Sequence, residues 1–383
     1  MQCNLCENSL ERPLYQSPNN LSVTSLRQVY PVRTEVYFCA RCGHLQTPEL
    51  TDLDEYYDQT YKMLIDTDEE DQLYEVVGDR TVYRYPHQAQ TLLAKVSLPS
   101  GARVLDYGAA KGTTLKHTLA SRPDLRAHLF DVSRMYIPFW EKFLPPENWA
   151  VYEPKQEWAG SFDLVTSFFV LEHTARPLSM LSAVRKLLRP RGQFYFIVPN
   201  VYANVCDFVV ADHVNHFSPA SLRCALGRTG FELIEIDERT HQSAFIVIAR
   251  EAAPAPVSSP AEPETSQDLQ PRVEDMAAYW RSFADKLRDF ESTHAAEPSA
   301  IYGAGFYGTL TATALANSAN VVCFVDRNPH LQGKKLLGKP VLDPEQLPAA
   351  VRIVYVSLNP AIAKAEMQKL PSWVGRPLTY YYL

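Results

Sequence analysis

No run of about 18 uninterrupted apolar residues occurs in the 383-residue chain, so no membrane-spanning helix is expected. The opening residues, Met1-Gln2-Cys3-Asn4-Leu5-Cys6, lack the charged and apolar stretches of a secretory signal. Positive charge is not in excess either. The net charge of −7 disfavours a general binder of nucleic acid or of anionic membrane. No internal repeat of solenoid period is visible. Cysteine is scarce at 7 residues, and four of these fall in two closely spaced pairs. That pattern reads as metal binding in a reducing compartment rather than as a disulfide framework. These features together suggest a cytoplasmic protein acting on small molecules.

The length calls for two or three domains. Residues 1–60 are turn-rich with short Val, Tyr and Phe runs, as strands around a metal would be. Residues 61–97 read as an acidic, Tyr-rich helical lead-in, with a helix starting at Tyr85-Pro86. In residues 98–250, strand-like runs alternate with helical segments. The runs are Arg103–Tyr107, Arg126–Asp131, Phe162–Phe168 and Gly192–Val198, followed by a terminal pair, Phe231–Ile236 and Ala244–Ala249. Between Phe168 and Gly192, Leu178, Leu181, Val184 and Leu187 recur at helical spacing. Such alternation implies an α/β, doubly wound sheet covered on both faces. Residues 251–272 are rich in Pro, Ala and Glu and read as a disordered linker. Residues 273–383 form a helix and a second, Rossmann-like α/β unit.

Cys3-x-x-Cys6 and Cys39-x-x-Cys42 are two knuckles. Four thiolates satisfy a tetrahedral Zn²⁺ and leave no open position, so the expected site is structural. Cys206, Cys224 and Cys323 are isolated and read as core residues.

A glycine turn follows the first long strand: Asp106-Tyr107-Gly108-Ala109-Ala110-Lys111-Gly112, opening a helix near Thr113. Asp131 ends the next strand, where a carboxylate can accept both hydroxyls of a ribose. A glycine turn with a downstream acid fits a dinucleotide equally well. Asp106, two residues before the turn, tilts the reading, because nicotinamide enzymes usually keep an apolar residue there. The segment resembles motif I of class I methyltransferases, with Ala110 in place of the usual middle glycine. Phe168-Phe169-Val170-Leu171-Glu172-His173 resembles the post-strand motif of the same superfamily, which lines the methionine moiety. The resemblance implies an S-adenosylmethionine site built from Asp106, Gly108, Ala110, Gly112, Asp131, Phe168 and Phe169.

Further on, Asp212-His213-Val214-Asn215-His216-Phe217 precedes Ser218-Pro219, a strong helix start with Ser as cap and Pro in the first turn. The loop is expected to face the cofactor. His213, with Asp212 beside it, is the first candidate base, and His216 and His173 are next.

The whole order resembles the bacterial nucleotide-sugar C-methyltransferases: a zinc module, a class I centre and a C-terminal α/β unit beginning Ile301-Tyr302-Gly303-Ala304-Gly305. That family's Tyr-Glu-His-x-x-Tyr-Phe-Ser motif falls on Ala211, Asp212, His213, His216, Phe217 and Ser218. The resemblance implies C-methylation of a nucleotide-linked sugar through a histidine base. An O- or N-methyltransferase on another acceptor is the alternative. Gly303-x-Gly305-x-x-Gly308 with Asp326 fits a dinucleotide fingerprint, so an NAD-dependent activity is a further alternative. A non-catalytic scaffold is the remaining one.

Overall fold

A computed structural model describes residues 1–50, 67–77, 80–252 and 266–383. The chain forms two compact units. The first comprises Met1–Arg12, Tyr37–Val201 and His213–Gln270. The second comprises Pro13–Val36, Tyr202–Asp212 and Pro271–Leu383.

Strand β1 (Glu35–Cys39), which belongs to the first unit from Tyr37 onward, pairs antiparallel with β2 (His44–Gln46) through Tyr37–Gln46, Phe38–Leu45 and Cys39–His44. The lead-in departs from expectation. Residues 61–66 lie outside the described residues, but β3 (Leu73–Val77) and β4 (Arg80–Tyr83) form a hairpin, not a helix. Their β-branched and aromatic residues favour a pleated surface over the helical one suggested by the acidic surroundings. Helix α1 (Arg84–Lys95) follows as expected.

The central sheet contains β5 (Arg103–Tyr107), β6 (Arg126–Asp131), β7 (Trp149–Val151), β8 (Phe162–Phe168) and β9 (Leu188–Pro199). Helix α2 (Thr113–Ser121) joins β5 to β6, and α3 (Pro177–Leu187) joins β8 to β9. A two-residue strand, β10 (Asn215–His216), and α4 (Pro219–Arg228) then lead to β11 (Phe231–Asp237) and β12 (Ala244–Glu251). The spatial order is β7-β6-β5-β8-β9-β12-β11. All pairs are parallel except those made by β12.

The chain winds one way from β5 to β7 and the other way from β8 onward. The carboxyl ends of β5 and β8 therefore mark the switch point where doubly wound sheets bind ligands. Val104, Leu129, Leu164, Tyr195, Ile197 and Ile246 are fully buried in one cluster on the sheet. Each such side chain stabilises the fold by about 1.5–3 kcal/mol.

Helix α5 (Ser266–Thr293), which belongs to the second unit from Pro271 onward, begins seven residues before the expected helix and carries Pro271 inside it. The linker assignment was too long because proline content masked a real periodicity. Val273, Ala277, Trp280, Ala284 and Leu287 are all buried at helical spacing. Strands β13 (Ser299–Tyr302), β14 (Val321–Val325), β15 (Lys339–Leu342), β16 (Ile353–Val356) and β17 (Thr379–Tyr382) form a parallel sheet in the order β15-β14-β13-β16-β17. Helix α6 (Phe306–Ala314) follows its glycine turn.

Candidate functional site

The glycine turn after β5 is closed on itself and on β6. The N–H groups of Gly108 and Ala109 donate to the Phe130 carbonyl at 2.8 and 2.9 Å. Gly108 has φ +78°, and a Cβ there would stand 2.5 Å from Val170 Cγ2. Only glycine suits both demands. Ala110 has φ +45°, a conformation that L side chains resist, which explains why glycine is usual at this position. Trp140, fully buried, donates its Nε1–H to the Ala110 carbonyl at 2.6 Å and holds that strained residue in place. Gly112, at φ +73°, begins α2.

Two carboxylates face this turn. Asp131 accepts from Ala110 N–H at 2.8 Å and from Ser133 N–H at 3.1 Å. Burial pushes its pKa up to about 6, and those two backbone donors oppose the rise. Asp106 is 2% exposed and accepts from Thr166 Oγ1–H at 2.9 Å. Burial pushes it up to about 7. The Thr166 bond opposes this and the Asp131 charge adds to it. Two buried acids at one turn are costly without a cation, and a cationic ligand is what the pair suits. Tyr85 of α1 lies within electrostatic reach of Asp106, and its hydroxyl is pushed well up by burial.

Sequence reading passed over Lys111. It is 4% exposed, and its ammonium donates to the carbonyls of Thr67, Asp68 and Glu70 at 2.8, 3.3 and 3.1 Å. The cofactor turn is thereby tied to the lead-in.

After β8, Phe168 is half-buried, and Phe169 adopts φ +58°, rare for a bulky side chain. Its N–H is held by the Ile197 carbonyl at 2.8 Å. The Arg84 guanidinium stacks over the Phe169 ring at 3.8 Å.

The histidines separate once their partners are visible. His173 and His213 meet edge to face, with ring centroids 4.6 Å apart. One ligand atom each from Glu172, His173 and His213 lies within 4.8 Å of the others. His216 does not sit in a loop. Residues Asn215–His216 form a strand on β2, and His216 Nε2 is 3.0 Å from Thr47 Oγ1. In the second unit, Asp212 is fully buried and both its oxygens accept from Ser25, from the N–H at 2.6 Å and the hydroxyl at 2.7 Å. Ser218 caps α4, with Ser221 completing the capping box.

Cys3, Cys6, Cys39 and Cys42 are buried and converge. The Sγ atoms of Cys3 and Cys42 are 3.6 Å apart, and those of Cys6 and Cys39 are 3.4 Å apart. Thiolates about 2.3 Å from one tetrahedral ion stand about 3.8 Å from one another, so the four residues fit Zn²⁺. Cys224 is no ordinary core residue as expected. It is only partly buried.

The second unit repeats the carboxylate device. Asp326 accepts from Ala304 N–H at 2.7 Å and from Asn328 N–H at 2.8 Å. Arg27 donates to the Ala304 carbonyl at 3.1 Å. Among the described residues, no helix is long and apolar enough to cross a membrane.

Comparison with known proteins bears on the first unit. Residues 80–236 match the family described as "Methyltransferase domain". The ubiquinone biosynthesis O-methyltransferase of Xanthomonas campestris pv. campestris (strain B100) is 32% identical over 121 residues, 30% of this chain and 50% of that protein. The protein of the same name from Xanthomonas axonopodis pv. citri is 32% identical over 158 residues, 36% of this chain and 66% of that one. The chain thus spans about half the length of the first curated relatives it matches. A solved S-adenosylmethionine-dependent methyltransferase from Mesorhizobium loti aligns with 43% of this chain and 98% of its own, at 16% identity and a TM-score of 0.36. With the glycine turn, the paired acids and the seven-stranded order in view, residues 80–236 are a class I, S-adenosylmethionine-dependent methyltransferase domain.

Proposed function

We propose that the protein transfers a methyl group from S-adenosylmethionine to a small-molecule acceptor. The observation that carries this reading is Asp131, pinned by the N–H groups of Ala110 and Ser133 at the end of β6 beside the glycine turn. Asp131 would accept the ribose hydroxyls, and Asp106 would hold the amino acid end with its cation. Gly108, Ala110, Gly112, Phe168 and Phe169 would line the rest. When bound, the cofactor supplies an activated methyl group as a sulfonium. The protein's task is then to align the acceptor and remove its proton.

His213 is the base in this reading. His173 packs against it, and the carboxylate of Glu172 stands close enough to favour the imidazolium that proton abstraction creates. His216 serves as a strut through Thr47. Asp212 acts on Ser25 rather than as a tuning partner. The preferred acceptor is a nucleotide-linked sugar, methylated at carbon. This rests on the motif order His213, Phe217, Ser218 and on the cysteine module that accompanies it. The four cysteines hold one structural zinc. O-methylation is the second reading, favoured by the curated relatives, which are named as O-methyltransferases.

A screen of nucleotide sugars and hydroxylated aromatics for methyl incorporation separates the two. His213→Ala should keep S-adenosylmethionine affinity and lose about 10²–10⁴-fold in turnover. A carbon acceptor should exchange hydrogen with deuterated solvent in the wild type and not in His213→Ala. Full activity in that variant would overturn the role of His213, and absence of cofactor binding would overturn the enzyme reading.

A further inference from the structure

A second group of histidines sits at the carboxyl edge of the central sheet, apart from His173 and His213. His241 lies in the turn between β11 and β12, and His87 lies on α1. Tyr74 of β3 stacks on His87 with centroids 3.9 Å apart and meets His241 edge to face at 5.1 Å. The two imidazoles are 5.5 Å apart, and Phe169 is 5.5 Å from His241. The Tyr74 hydroxyl accepts from Gln242 N–H at 2.7 Å, which anchors the turn to the lead-in hairpin.

The tautomers follow from the partners. His241 Nδ1 is 3.1 Å from the Gln242 carbonyl. A carbonyl only accepts, so His241 Nδ1 carries the proton and its Nε2 is a bare lone pair, and His87 offers the same acceptor at Nε2 in its Nδ1-protonated tautomer. Both Nε2 atoms are buried, and neither has a hydrogen-bond partner. His241 is 4% exposed. Burial holds its pKa down to about 3, with the Arg84 charge adding, so the ring is neutral at any working pH. His87 is lowered by burial as well. A buried polar nitrogen without a partner costs about 1–3 kcal/mol, and two occur in one aromatic cluster.

We propose that His87 and His241 dock the acceptor, their Nε2 atoms receiving hydrogen bonds from hydroxyl groups of the molecule to be methylated. The proposal rests on the methyltransferase reading and adds the acceptor's chemistry to it. Lone pairs exclude a carbonyl, a carboxylate or a phosphate at this position, because those groups bring acceptors to acceptors. The location fits. Phe169 follows β8 at the switch point, and the His241 turn lies at the same edge, where ligands of doubly wound sheets bind. Tyr74, His87 and Phe169 supply ring faces and edges against which the carbon skeleton of a hydroxylated ring packs.

The test uses the full-length protein saturated with S-adenosylhomocysteine, titrated with uridine diphosphate glucose and separately with catechol. At least one probe should move the ¹⁵N resonances of both Nε2 atoms. His87→Phe and His241→Phe should each weaken that probe about tenfold, the worth of one hydrogen bond of about 1.4 kcal/mol. Both should keep wild-type S-adenosylhomocysteine affinity and melt close to wild type, since each removes an unpaired buried nitrogen, which in His241→Phe offsets the lost bond to the Gln242 carbonyl. His241→Gln, which keeps an acceptor, should recover part of the affinity. The proposal is overturned if neither probe moves the Nε2 resonances. It is also overturned if the Phe variants bind the probe as wild type does, or if they melt several degrees lower, which would mark the imidazoles as structural. Failure of S-adenosylhomocysteine to bind the wild type would instead sink the methyltransferase reading itself.

Discussion

Asp106 should make cofactor affinity depend on pH in a direction that its surroundings fix. Its carboxyl is buried and titrates at about 7, so near neutrality it is half protonated. A cationic amino acid end binds the ionised form. Affinity should therefore rise about eightfold from about pH 6 to about pH 7.5, as the ionised fraction grows from about one-tenth to about three-quarters. Above about pH 8 it should fall again, because an α-amino group loses its proton at about 7.7–8.0. Isothermal titration with S-adenosylhomocysteine across this range measures the curve. Asp106→Asn should flatten the rising limb. The same substitution should raise the melting temperature of the ligand-free protein at pH 7.5. A folded-state pKa above the unfolded value means stability that is present at low pH and lost as pH rises through about 7, and Asn removes that loss. The gain should be a few kcal/mol at pH 7.5 and close to nothing at pH 4. A flat affinity profile in the wild type, or a parallel slope in Asp106→Asn, would refute the reasoning.

Ala110→Gly should relieve the φ of +45° and stabilise the protein by about 1 kcal/mol in urea unfolding, with cofactor affinity kept. Lys111→Met leaves the carbonyls of Thr67, Asp68 and Glu70 without their ammonium and should destabilise by about 1–3 kcal/mol, with faster cofactor release in stopped-flow measurements. Cys39→Ser should lower bound zinc below one ion per chain by elemental analysis. Cys224→Ser should leave it at one, because Cys224 is not a member of the converging four-thiolate set.

What was legible in the sequence was local. The glycine turn, the alternating strands, and the Ser218-Pro219 cap each depend on residues within one turn or one strand, and each was found where expected. The cysteine pairs carried their own spacing, and the fold brings them together. Trp149–Val151 escaped notice because a three-residue edge strand gives no period to read. The Leu73–Tyr83 hairpin was hidden behind acidic neighbours. Asn215–His216 looked like a loop because its strand partner, Leu45–Gln46, lies far away along the chain.

The same distinction governs the histidines. A sequence shows ten of them, all with the same intrinsic chemistry. What a given imidazole can do depends on the partner of each ring nitrogen, and those partners come from tertiary structure. His128 has both nitrogens engaged, Nδ1 by the Arg126 carbonyl at 3.1 Å and Nε2 by Arg103 at 3.3 Å, so it braces the sheet. His216 is held through Thr47. His241 has Nδ1 fixed by the Gln242 carbonyl and Nε2 left as a buried lone pair, and His87 Nε2 is likewise buried without a partner. Neither stands near a recognisable motif, and Gln242, the partner of His241, belongs to a turn with no sequence signature. Motif reading therefore ranks histidines by their neighbours in the chain, whereas their chemistry is ranked by which nitrogen the fold leaves unsatisfied.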